Sequence, residues 1–199
     1  MSGRFISQAD TLIVFPGFGG PGMMGNAITL FHENANFKRL IVGGIHPKLI
    51  DDNVGTYALL HPEVLARDPY SFVPPTQVFT QVCAEHTKDQ ANWIARQCFE
   101  QSVTSAVLIA APFHLTRAYL TTLSSLHNVG CTDDDLLLIP HAASAPMTKV
   151  FPDFGLSQWI LLAGELRRIR AYQEKGDIIP DKTIKEYLTW LEQQLGFAI

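Results

Sequence analysis

Most of the signatures that identify a function at a glance are missing from this chain. Its 199 residues hold three cysteines, Cys83, Cys98 and Cys131. An odd, widely spaced set supplies neither a disulfide framework nor a CxxC metal signature, and it fits reduced, partly buried thiols in a cytosolic protein. Basic residues do not cluster, and the formal net charge is -4. That excludes the electrostatic footprint of a nucleic-acid binder and makes an anionic membrane surface a poor partner. No apolar run approaches the length of a membrane span, and the stretch from Met1 to Gln8 lacks the apolar core of a secretory signal. The expectation is a soluble, unanchored, cytoplasmic protein. The GxSxG elbow, the HExxH pair, the GxxxxGKS/T loop and the GxGxxG fingerprint are all absent.

What is present is a core with an alternating rhythm. Hydrophobic residues make up 47% of the chain, enough for one domain over residues 1–199, with an α/β core over 10–140 and a helical part over 155–199. Buried strands are predicted at Asp10–Phe15, Arg39–Ile45, Thr76–Val82, Ala106–Ala110 and Leu136–Pro140. The first two show no polar alternation, so both of their faces are covered, which predicts a parallel sheet between helix layers. Helices are predicted at Asn26–Glu33, from Thr87 to about Gln101, and at Leu115–Leu126, Leu156–Glu174 and Asp181–Leu195, with a short one near Tyr57–Ala66. Thr87-Lys-Asp-Gln90 has the form of a capping box, with Thr87 as N-cap and Gln90 reaching back. Trp93, Ile94, Phe99 and Leu120 are assigned to the core by their helical spacing, and Cys83 reads as a buried structural thiol.

The segment richest in chemistry is Ala111-Pro-Phe-His-Leu-Thr-Arg-Ala118, where a strand hands over to a helix. In open α/β sheets that edge is where ligands bind. His114 and Arg117, three residues apart, share a helix face, and a base beside a fixed cation at a helix N-terminus makes a seat for an anion. A hydrogen-bonded core histidine and a solvated surface arginine account for the same pair about as well. Other polar residues also fall at predicted strand ends: His46, Glu85, His86 and His141.

Two functional readings follow. In the first, Phe15-Pro-Gly-Phe-Gly-Gly20 presents Gly17, Phe18, Gly19 and Gly20 as a nest for an anionic or nucleotide-type ligand. In the second, His46, Glu85, His86, His114 and His141 hold a metal for hydrolysis, although no tight ligand spacing supports this. Glu85 is a candidate general base, whose bland role is to satisfy backbone donors or an arginine. Asp89 either contacts ligand or favours the positive end of its helix. Arg167, Arg168, Arg170 and Lys175 read as a solvated basic helix end.

Four blocks resemble the YdcF/SanA/ElyC-like family, in its soluble YdcF-type branch. They are Ile13-Val-Phe-Pro-Gly-Phe-Gly-Gly20, Leu40-Ile-Val-Gly-Gly44, Glu85-His-Thr-Lys-Asp-Gln-Ala91 and Phe113-His-Leu-Thr-Arg-Ala118. The resemblance implies a Rossmann-like three-layer sandwich with a mostly parallel sheet and C-terminal helices. It places Gly17, Gly19, Gly43, Gly44, Glu85, Thr87, His114 and Arg117 around a pocket at the strand C-termini. It also implies a nucleotide-type ligand such as S-adenosylmethionine, or an envelope-related phosphate metabolite. The chain departs from the pattern at Asp89, where relatives often carry Asn, at His86, and in lacking the anchor that many relatives carry.

Taken together, these readings lead us to expect a small-molecule enzyme, a transferase or a hydrolase. Glu85 and His114 would serve as acid and base, and Arg117 with the glycine loop as anion seat. A non-catalytic ligand-sensing module using the same pocket is the alternative.

Overall fold

A computed structural model describes residues 6–16, 20–44, 73–131, 135–146, 148, 150–151 and 155–195. Five strands form one sheet: β1 (Thr11–Val14), β2 (Arg39–Val42), β3 (Val78–Thr80), β4 (Ser105–Ala110) and β5 (Leu137–Ala142). Their order is β3-β2-β1-β4-β5, and every pairing is parallel. The helices are α1 (Gly20–Glu33), α2 (Thr87–Glu100), α3 (Pro112–Asn128), α4 (Gln158–Glu174) and α5 (Asp181–Leu195). The sheet is therefore Rossmann-like, with helices on both faces.

Strand alternation divides the core in two. Leu12, Val14, Leu40, Val42, Val107 and Ile109 face α1 and the start of α4, where they meet Met24, Phe31 and Leu161. Ile13, Ile41, Ala106, Leu108 and Leu138 face α2, α3 and α5, where they meet Ile94, Leu123 and Leu191. The β-branched runs expected to be covered on both faces are so covered. Two helices end on a glycine in the left-handed region: Gly130 after α3 (φ 86°) and Gly176 after α4 (φ 76°).

Several local expectations shift. The helix expected from Asn26 begins at Gly20, six residues earlier. The stretch Thr76–Val82 is strand only over Val78–Thr80, because Pro75–Gln77 closes a 3-10 turn first. Leu156 and Ser157 are not helical. They form β7, antiparallel to β6 (Val150–Phe151), and α4 starts at Gln158. Phe99 is 60% exposed rather than core; the inner face of α2 is Ala91, Ile94, Ala95 and Cys98, which leaves Phe99 one step around the helix from the seam. Cys83 is exposed rather than buried. The helix expected near Tyr57–Ala66 lies outside the described residues.

Pro140, read as a strand terminus, lies inside β5. The N–H groups of Leu137 and Ala143 point to β4, bonding Thr104 and Ala110 at 2.9 Å each. The alternate residues, Leu138 and Pro140, therefore face the outer edge. Pro140 has no N–H to leave open there. Leu138 is paired instead by Tyr187 of α5, whose hydroxyl accepts its N–H at 2.9 Å, while the Tyr119 hydroxyl donates to its carbonyl at 3.0 Å. A proline and two tyrosines blunt the edge of the sheet.

Candidate functional site

With this strand order the connections from β1 and β4 leave the sheet in opposite directions, α1 onto one face and α3 onto the other. The point where they part is the crevice in which α/β folds hold ligands. Phe15 follows β1 and His114 lies in the first turn of α3. Their rings meet edge-to-face there, with centroids 6.0 Å apart. Gly17, Phe18 and Gly19 lie outside the described residues, as does His46; Gly20 opens α1.

His114 is the inner end of a charged hydrogen-bond chain. Glu165 of α4, only 2% exposed, takes Arg117 of α3 through both oxygens: Nε donates to Oε2, and Nη2 to Oε1 at 3.2 Å. Arg117 Nη1 donates to the hydroxyl of Thr87, and that hydroxyl stands 3.3 Å from His114 Nε2. Because arginine is donor only, the Thr87 hydroxyl accepts from it, and a second lone pair and the hydroxyl proton remain for the imidazole. Arg168 donates to Glu165 Oε1 at 2.8 Å, and the Tyr172 ring lies 5.4 Å from the Arg117 guanidinium carbon. Glu165, Arg168 and Tyr172 recur at i, i+3 and i+7, so one face of α4 grips Arg117.

The electrostatics follow from burial and from two nearby cations. Taking the imidazole out of water disfavours its charged form, and Arg117 and then Arg168 disfavour it further. Together they push the His114 pKa down to about 3. His114 is thus neutral at neutral pH. Arg117 is neither the solvated arginine of the bland reading nor an unmatched cation: its side chain is 11% exposed and its charge is met by Glu165.

Thr87 is the first residue of α2, not its N-cap. His86 holds the N-cap position, and its N–H donates to the Asp89 carboxylate at 3.0 Å. The capping box is displaced by one residue because the Thr87 hydroxyl is engaged inside the protein. That accounts for Asp89, which is exposed at the positive end of its helix. Gln90 reaches not to a cap but to the carbonyl of Gly44. Gly44 also donates its N–H to Gln81 Oε1 at 3.1 Å, so its backbone is pinned from both sides. A Cβ on Gly44 would stand 2.5 Å from the Cys83 carbonyl carbon, whereas one on Gly43 would make ordinary 3.4 Å contacts with Gln90 and Ile94. Gly44 is a glycine because the backbone of Cys83 passes over it.

The predicted site residues thus separate. Thr87, His114 and Arg117 come together. Glu85 is exposed in the loop leading to α2. His141 lies within β5, paired in register with Ile109, and faces the α1 side of the sheet. It is half-buried, and burial lowers its pKa. Among the described residues, no three His, Cys, Asp or Glu side chains stand close enough to hold a metal ion. Sequence reasoning missed Glu165. Its signal was a lone acid in the basic run Glu165-Leu-Arg-Arg-Ile-Arg170, one turn beyond Leu161 on the buried face.

No family model, no curated protein and no solved structure matches this chain significantly. Among the described residues no helix is long and apolar enough to cross a membrane.

Proposed function

We propose that this protein takes an anionic or nucleotide-type small molecule at the C-terminal ends of β1 and β4, as a member of the YdcF-like family. The observation that carries the reading is the strand order β3-β2-β1-β4-β5. It brings the starts of α1 and α3, the positive ends of two helix dipoles, to one crevice, and such ends favour a negative group. In this reading the Arg117–Glu165 pair positions Thr87 and His114 rather than holding the ligand. Glu85, exposed two residues before Thr87 in the chain, is the carboxylate available for acid–base work. The ligand class suggested by the family resemblance is that of S-adenosylmethionine or a phosphate ester, and the location suggested is cytoplasmic.

One observation favours the second reading, a ligand-sensing module without turnover. An imidazole held neutral down to about pH 3 is poorly matched to proton transfer near pH 7. It serves better as a fixed hydrogen-bonding group.

The test is a thermal-shift screen with S-adenosylmethionine, its demethylated product, nucleotides, sugar phosphates and polyprenyl phosphates, followed by product analysis of any hit. A ligand selective for the folded state raises the melting temperature. We expect one of these classes to do so, and its effect to shrink in His114→Ala. Product formation that is lost in Glu85→Ala marks an enzyme; saturable binding without product marks a sensor. A panel in which nothing binds overturns the proposal.

A further inference from the structure

A cleft of about 510 Å³ lies between α1 and the ends of β4 and β5, on the α1 side of the sheet. Its size falls within the range of small-molecule sites. It follows α1 from Gly22 to Glu33, a run of 12 residues or roughly 16 Å of helix, long enough for a molecule the size of a nucleoside.

Its floor is unusual. Gly22 and Gly25 both line it, and a Cβ on either would meet nothing within 4 Å. Neither has a positive φ. Glycine inside a helix destabilises it relative to alanine, and among the described residues neither backbone conformation nor packing accounts for the pair. Close approach of a bound molecule would account for it.

The walls indicate what that is. Asn26, Thr29, His141 and Ser144 offer neutral donors and acceptors, and among the described residues the only charged group lining the cleft is the carboxylate of Glu33. The Asn26 amide nitrogen is anchored on the Gly22 carbonyl at 2.7 Å, which leaves Oδ1 as its acceptor. Leu30 and Ile109 add apolar surface. A phosphate here would meet a negative charge and no matching cation, whereas a sugar ring has hydroxyls for the polar groups and a C–H face for the apolar ones.

We propose that this cleft binds an uncharged, hydroxyl-bearing ring, a pentose or a hexose, through His141, Asn26, Thr29, Ser144 and Glu33. The inference rests on the function proposed above: it names the neutral part of a ligand whose negative group meets the starts of α1 and α3.

The probes are adenosine, methyl glucoside and inorganic phosphate, titrated by saturation-transfer NMR and calorimetry into wild type and Gly25→Leu. The leucine fills the cleft and improves the helix, so the melting temperature should hold or rise. We expect binding of one ring compound to fall at least tenfold while phosphate binding stays within twofold; which ring binds separates a nucleoside from a free sugar. If Gly25→Leu proves unstable, Thr29→Lys, on the exposed side of α1, crowds the same cleft. Ring binding unchanged by the filling variant, or a wild type that binds phosphate and neither ring, overturns this subsite and leaves the proposed function standing. A wild type that binds no probe here and nothing in the wider panel overturns both.

Discussion

At the scale of single residues, the site is governed by what burial does to charge. His114 carries a pKa of about 3 in the folded protein against an ordinary value of 6.5. Between those values the unfolded chain binds a proton that the folded one does not, so stability rises with pH across that window and falls as pH drops below 6.5. The slope from one such group reaches about 1.4 kcal/mol per pH unit. Urea unfolding from pH 4 to 7 should show it, and His114→Gln should remove this contribution. The Arg117–Glu165 pair obeys the same logic. Glu165→Ala leaves the guanidinium buried without its counter-charge, a loss of roughly 3–5 kcal/mol. The double variant Arg117→Met with Glu165→Leu removes both charges and should recover most of that loss. Chemical denaturation of the three variants checks it, and a double variant as weak as the single one would contradict the account. Cys98, buried and pushed up to about 12, should resist a thiol reagent that labels exposed Cys83 within minutes.

At the scale of elements, the joints matter more than the elements themselves. β2 passes into Gly43 and Gly44, and the Cys83 backbone crosses the second glycine but not the first. Gly44→Ala must displace main chain and should cost about 1–3 kcal/mol, as other overpacked sites do. Gly43→Ala meets only side chains at contact distance and should stay within about 1 kcal/mol of wild type. Melting curves of the two variants compare them directly. The displaced capping box has a similar origin. A threonine three residues before a glutamine signals an N-cap, but Thr87 is needed between Arg117 and His114, so the cap passes to His86 and Asp89. Glu165 was hard to read for the same reason. Its partner is 48 residues away, and no local pattern specifies such a distance.

At the scale of the whole molecule, the last helix completes the sheet. Tyr187 and Leu191 of α5 belong to the same apolar cluster as Ile13, Ile41 and Leu108, and Tyr187 supplies the pairing that β5 lacks on its outer side. Tyr187→Phe leaves the Leu138 N–H without that acceptor and should cost about 1–3 kcal/mol. Because α5 and the sheet share one cluster, intrinsic fluorescence and far-UV dichroism should report a single coincident unfolding transition. Two separated transitions would mean that the helical part folds apart from the core.

Composition and periodicity alone determined the layered α/β class, the five parallel strands, and the extents of α2 and α5 to within a residue, because apolar runs covered on both faces admit few other arrangements. They also placed His114 and Arg117 at the end of β4. What those two residues meet was decided only in three dimensions. Glu165 arrives from α4 and Thr87 from α2, and burial among two guanidinium groups turns an apparent base into a neutral hydrogen-bonding group. The separation of His141 from His114 was likewise tertiary, since strand register puts one against α1 and the opposite sheet face carries the other. Local sequence specifies periodicity and caps through neighbouring residues, whereas charge pairing and desolvation depend on groups that only the folded chain brings together.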